Sequence, residues 1–229
     1  MKVLVANPSI KHGGFLDLEN AQRTTWMSDQ LPNLTSFFYY GSAKSKHLKD
    51  QELYLESSEG PNITDKTIKM FKYCLDNLEF DFLFRTNISS YVNINRLYKY
   101  CQTLNPQNIY QGHIGFYSGI KYASGSGILF SKDVVEIIIH LHTKIKQVGL
   151  HDDPYIGKIL SSANIPLNPL ARFDYLHNTN VDSIKKYHNK DPIKNFHYRC
   201  KTFNPFDPTR KIDCDRIHLI HQTISDKNS

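Results

Sequence analysis

Two stretches of this chain carry residue types suited to chemistry. In "HDDPYIG" the adjacent carboxylates Asp152 and Asp153 follow His151. On spacing alone, neighbouring aspartates ahead of a helix read as N-caps, because a side-chain oxygen there accepts from an otherwise unpaired backbone N–H. In "FHYRCK" Arg199 and Lys201 fall on one face of a strand, and His197 shares it, since strand side chains repeat every second residue. A guanidinium makes two-pronged contacts to phosphate and an ammonium acts as a point charge, so this pair could grip a diphosphate. An ordinary basic edge strand with solvated ends is the other reading. "SGSG" (Gly125, Ser126 and Gly127 after Ser124) is a turn if it stands alone, but its glycines would also admit close approach of backbone to another group.

The elements that must position these residues alternate. An apolar run from Lys2 reads as a buried strand closing at Asn7 and Pro8. "DLENAQRTTWMSDQL" has helical spacing with Asp17 as a possible cap, and "TSFFYYG" reads as a strand. "SAKSKHLKDQ" is polar and loop-like. "NITDKTIKMFKYCLDNL" has one apolar helical face, followed by strand "DFLFRT" and helix "NINRLYKYCQTL". Two strands around a turn are predicted over residues 108–131, then helices "KDVVEIIIHLHTKIKQ" and "HDDPYIGKILSSA", and a Pro-broken strand region. The tail offers one strand, a Pro-rich loop and a C-terminal helix. Strands alternating with helices imply an α/β sheet with helices on both faces, and no repeat or long linker divides the 229 residues. One domain over 1–229 is expected.

The net charge of +6 favours anionic partners. The basic residues are scattered, with no basic arm, zinc finger or RNA-recognition signature, which argues against nucleic acid. Cys74, Cys101, Cys200 and Cys214 lack metal-ligand spacing and read as reduced, buried thiols, although Cys200 and Cys214 could pair. "MKVLVANPS" is too brief an apolar start for a signal peptide or a transmembrane segment, so a soluble, cytoplasmic protein is expected. The sequons at Asn33, Asn62 and Asn87 then read as chance. The abundance of Asn, Lys and Ile suggests an AT-rich genome, such as that of a large virus.

Five motifs in order resemble the galactosyltransferase and Fringe-type family of inverting glycosyltransferases. They are "RTTW" (from Arg23), "NITDKT" (holding Lys66), "RTNISSYVN" (from Arg85), "YASGSGILFSKD" (from Tyr122) and "DDPYIG" (from Asp152). The resemblance covers roughly residues 1–165 and fades beyond. It implies a GT-A fold: a twisted mixed sheet flanked by helices, residues 1–100 forming a nucleotide-binding half and residues 101–229 an acceptor-side half. It also implies a UDP-sugar donor, a glycan or protein hydroxyl acceptor, and Asp153 as the general base.

The chain departs from the family where aspartates hold a divalent cation behind the donor diphosphate. Asn87, Ile88 and Ser89 stand there, offering two neutral oxygens and none from Ile88. A hard cation wants anionic oxygens, so no required cofactor is expected. A weakly held Mn²⁺, helped by Asp81 and by His218 or His221, is the alternative. Without a metal, positive charge must come from side chains. Arg199 and Lys201 are the leading candidates, with Arg85, with Lys66 at a family lysine position, and with Arg23 lining the nucleotide pocket alongside Asn87 and Ser89. In the same frame Gly125, Ser126, Gly127 and Asp152 shape the donor-sugar pocket. A noncatalytic sugar- or nucleotide-binding relative is the rival reading, and a nucleic-acid-binding protein a more distant one.

Overall fold

A computed structural model describes residues 1–41, 47–59, 63–147, 149–202 and 210–225. In chain order the elements begin with β1 (Val3–Pro8), α1 (Gly14–Arg23), β2 (Leu34–Tyr40), β3 (Leu48–Lys49), β4 (Glu52–Tyr54) and α2 (Ile63–Asn77). Next come β5 (Phe82–Thr86), β6 (Ser90–Val92), α3 (Ile94–Gln102), β7 (Tyr110–Tyr117), β8 (Ile120–Ser131), α4 (Lys132–Leu141) and α5 (Asp152–Ser162). The chain ends with β9 (Asn168–Pro169), β10 (Phe173–Asp174), α6 (Val181–Lys190), β11 (His197–Arg199) and α7 (Lys211–Ser225). Among the described residues no helix is long and apolar enough to cross a membrane.

These elements fall into two compact units. The first comprises Met1–Pro8, Asn33–Thr86 and Leu104–Leu170. It holds an eight-stranded mixed sheet in the order β3-β4-β2-β1-β5-β8-β7-β9. Strand β1 pairs in parallel with both β2 and β5, so the winding reverses between β1 and β5. Ligands of open α/β sheets sit beyond the carboxyl ends of strands at such a switch point, here Asn7 and Thr86. Strand β8 runs antiparallel to β5, setting Gly127 opposite Thr86 and Ile128 opposite Arg85.

Period-two alternation decides what one face of this sheet buries. Leu4, Ala6, Phe37, Tyr39, Leu83, Ile128 and Phe130 pack with Phe71 and Cys74 of α2, Val135 and Ile138 of α4, and Ile156 and Leu160 of α5. Each large side chain so buried contributes about 1.5–3 kcal/mol. Arg85, two residues after Leu83, is carried by the same alternation into this core and must be paired there.

The second unit comprises Ser9–Pro32, Asn87–Thr103 and Ala171–Ser229. Its three-stranded sheet has the order β10-β11-β6, and α7 packs against α1, α6 and β6. Tyr198 of β11 is its centre, with the rings of Tyr91, Phe173 and Tyr187 around it. Its hydroxyl bonds the buried His188 Nδ1 at 2.8 Å.

Several local expectations are corrected. Helix α1 starts at Gly14, after Gly13 in the left-handed region at φ 52°, so Asp17 lies inside the first turn and does not cap it. It ends at Arg23, where the Thr24 and Thr25 hydroxyls donate back to Asn20 and Ala21 carbonyls at 2.8 and 2.6 Å. Residues 48–53 form a hairpin, not a loop, through a two-residue turn in which Asp50 and Gln51 both have positive φ, of 50° and 63°. Helix α4 stops at Leu141, and the Tyr155 hydroxyl is shared between the carbonyls of His142 and Ile145, at 2.6 and 2.8 Å. Helix α6 is an addition to the expected elements, capped by Asn180 accepting from Ser183 N at 2.9 Å. All four cysteines are free thiols. Asn62 and the Pro-rich loop at 203–209 lie outside the described residues.

Candidate active site

In the first unit, four of the expected site residues meet around one buried guanidinium. Arg85 is 3% exposed. It pairs with Asp152 through Nη2, donates through Nη1 to the Gly125 carbonyl, and reaches the Tyr39 hydroxyl through Nε at 3.4 Å. Asp152, itself buried, also accepts from Thr67 Oγ1 at 3.1 Å. Burial, the largest single influence, opposes the charge on Arg85, but Asp152, Tyr39 and Asp153 together outweigh it and hold the guanidinium pKa above its ordinary value. Arg85 therefore spends its donors on the local framework.

That framework fixes Asp153. Its Oδ2 accepts from Gly125 N at 2.9 Å, so the strand that binds Arg85 through its carbonyl binds Asp153 through its N–H. Burial, then the like charge of Asp152, push the Asp153 pKa above its ordinary 3.8, with the Gly125 N–H and Arg85 partly offsetting both. Gly125 is glycine for a local reason: a Cβ there would lie 2.5 Å from Arg85 Nη1 and 3.3 Å from Asp153 Oδ2. Ser126 is buried, and its carbonyl accepts from Thr86 Oγ1 at 2.8 Å, while Gly127 is buried opposite Thr86. Lys66 is buried too and pairs with Glu59 at 2.8 Å.

In the second unit, the 87–89 turn is internally satisfied. Asn87 Oδ1 accepts from Ser89 N at 3.1 Å and Ser90 Oγ at 2.9 Å, an Asx-type turn, and Ile88 is buried. Gln22 of α1 clamps it from behind, donating through Nε2 to the carbonyls of Ile88 and Ser90 at 2.7 and 3.1 Å. Trp26 Nε1 adds a donor to Ser90 O at 3.2 Å. Arg23 ends the same helix, half-buried.

Three cations gather at this turn. Strand β11 pairs with β6 so that Arg199 lies opposite Ser90, and Cys200 N donates to Ser89 O at 2.7 Å. Arg199 pairs with Asp174 at 3.5 Å. Lys201 lies beyond the end of β11, exposed, and Thr202 N donates to Asp213 Oδ1 at 2.7 Å. Arg210, which the sequence reading missed, donates from Nη2 to Ser89 Oγ at 2.6 Å and from Nε to Asp213 at 3.0 Å. Partial burial, then the neighbouring Arg199 and Arg210, pull the Lys201 pKa below its ordinary value.

The family resemblance would place a divalent cation at this turn, and the donor set does not suit one. The Asn87 oxygen is taken by two local donors and the Ser89 hydroxyl faces a guanidinium, which repels a cation. Asp81 stands at the amino end of β5 and accepts from Lys2 N at 2.6 Å. His221 bonds the Tyr91 hydroxyl through Nδ1 at 3.1 Å, and His218 lies one turn earlier on α7. Among the described residues no three His, Cys, Asp or Glu side chains are grouped to hold a metal.

No family model matches this chain, and no curated protein matches it in sequence. Solved structures match in shape. A glycosyltransferase involved in glycosylation of the major capsid of PBCV-1 gives a TM-score of 0.56 at 11% identity, covering 96% of this chain and 100% of that one. An active-site mutant of LgtC gives 0.50 at 10% identity, over 97% of this chain and 96% of its own. The fold is GT-A. At such identities the likeness is one of fold, and within that GT-A frame the switch point between β1 and β5 and the Asp153 cluster both belong to the eight-stranded unit.

Proposed function

We propose that this protein moves a sugar from a UDP-sugar to a hydroxyl acceptor with inversion, Asp153 acting as general base. The observation that carries this is the Asp153 carboxylate, anchored by the Gly125 N–H beside the buried Arg85–Asp152 pair. An aspartate serving only to cap a helix has no need of such a framework. The choice of UDP rests on the motif resemblance, and the GT-A fold supports a nucleotide-sugar donor.

The chemistry is a single displacement. The acceptor oxygen forms a bond to the anomeric carbon as its proton passes to an Asp153 carboxylate oxygen. The bond from that carbon to the diphosphate oxygen breaks on the opposite side, and UDP leaves with the electron pair. A base works best when it is positioned and its pKa is lifted towards the operating pH, which burial and Asp152 do for Asp153. Arg85 is a positioning residue: it holds Asp152 and the Gly125 carbonyl, hence the N–H that orients the base.

The test is UDP release from a panel of UDP-sugars with and without hydroxyl acceptors, with the anomeric configuration of the product read by NMR. Inverted product supports the assignment. UDP binding with no turnover on any acceptor marks the chain as a noncatalytic relative, and retained configuration removes the single displacement.

A further inference from the structure

The turn where the resemblance leads one to expect carboxylates carries a guanidinium instead. Arg210 reaches across 121 positions of sequence to Ser89 Oγ. Its Nε is fixed by the fully buried Asp213 carboxylate, whose other oxygen holds Thr202 N and so pins the segment bearing Lys201. The β6–β11 pairing sets Arg199 opposite Ser90, next to the same turn, with its guanidinium 3.5 Å from Asp174. Arg210 also adopts a left-handed backbone at φ 54°, a conformation rarely kept by a residue with a side chain unless its surroundings enforce it.

We propose that Arg210, Lys201 and Arg199 form a metal-independent diphosphate site on the Asn87 to Ser89 turn, doing with fixed side chains what a bound cation does in related enzymes. The proposal rests on the nucleotide-sugar reading above. Ser89 acts here as the seat of Arg210, not as a metal ligand. A serine at that position accepts from the guanidinium without adding a second carboxylate to Asp213, which already pairs with it. Asp213 pairs with Arg210 through Nε and Nη2 and orients it, and Lys201 adds a point charge on an exposed stem. Helix α7, of 15 residues, begins at Lys211, so its amino end adds a favourable dipole beside Arg210. These groups stabilise the negative charge that grows on departing UDP without reorganising as it forms.

A purely structural role, with Arg210 as a staple for α7, would leave nucleotide affinity unmoved, and calorimetry separates the two. UDP, uridine and inorganic pyrophosphate are titrated in EDTA into wild type, Lys201→Met, Arg210→Lys and Arg210→Met, with melting temperatures recorded alongside. The wild type should bind UDP in EDTA with an affinity that Mn²⁺ leaves within about twofold. Lys201→Met, an exposed change that keeps the melting temperature, should weaken UDP at least about tenfold and leave uridine unchanged, since charge-assisted contacts are the strong ones. Arg210→Met should lose more and Arg210→Lys less. A tenfold or greater gain in UDP affinity from Mn²⁺, or wild-type UDP affinity in Lys201→Met and Arg210→Met, would overturn the site. If pyrophosphate binds and follows these variants while UDP and uridine do not bind, the anion site stands and the nucleotide-sugar reading falls. Absence of binding by all three probes sinks the site itself.

Discussion

Arg85 and Asp152 form an ion pair with side chains only 4% and 7% exposed, joining the carboxyl end of β5 to the first residue of α5. The pair is the hub of the candidate site, because Gly125 and through it Asp153 are fixed to it.

Breaking that pair from one side should be costly. Arg85→Met leaves the Asp152 carboxylate buried without its charge partner and should lower unfolding stability by about 3–5 kcal/mol. Replacing both, as Arg85→Met with Asp152→Leu, removes the uncompensated charge and should recover most of that loss while activity stays low. Urea denaturation of the two variants checks this. A double variant no more stable than the single one would show that the pair is not the organising contact.

Two glycines give a contrast between site and scaffold. In Gly125→Ala the new methyl meets the pinned Arg85 guanidinium, whereas in Gly157→Ala it lies 2.5 Å from Tyr122 Cβ and 3.0 Å from the Lys121 carbonyl. Overpacking of either kind should cost about 1–3 kcal/mol. Only Gly125→Ala should also lower kcat well beyond what its lost stability explains, because it displaces the group that orients Asp153. Equal loss of kcat in both would contradict this.

The raised Asp153 pKa has consequences of definite sign. The folded state holds this proton more tightly than the unfolded chain, so the associated stability is fully present below the ordinary 3.8 and is lost as pH rises through the higher folded value. Asp153→Asn should therefore be more stable than wild type near neutral pH, an advantage that vanishes below pH 3.8. Activity should run the other way, rising with pH as the base deprotonates. Denaturation of both proteins across this range, with the acid limb of kcat/KM, provides the measurement. An advantage of the variant that persists in acid would contradict the sign.

How much of this was legible in the sequence depended on how local each signal was. Strands β1, β2, β5 and β8 and helix α2 follow from apolar runs and periodicity, and the place of Arg85 was implicit in Leu83 two residues earlier. The hairpin at 48–53 was not legible, because its turn uses Asp50 and Gln51 at positive φ where glycine would be the usual signal. Gln22 left a faint trace, a polar residue on the same helical face as Leu18, Ala21 and Thr25, whose burial called for partners. Arg210 left none, since its meeting with Ser89 is made by the fold alone. The pairing of β11 with β6 likewise set Arg199 opposite Ser90, which no spacing within "FHYRCK" could indicate.

The central claim is that Asp153 removes the acceptor proton during sugar transfer. It is tested most directly by measuring UDP release and UDP affinity side by side in wild type and Asp153→Asn. Losing a positioned general base should cut turnover about 10²–10⁴-fold while UDP affinity stays within about twofold, because nothing in the proposed diphosphate site changes. Turnover in Asp153→Asn equal to wild type would contradict the account.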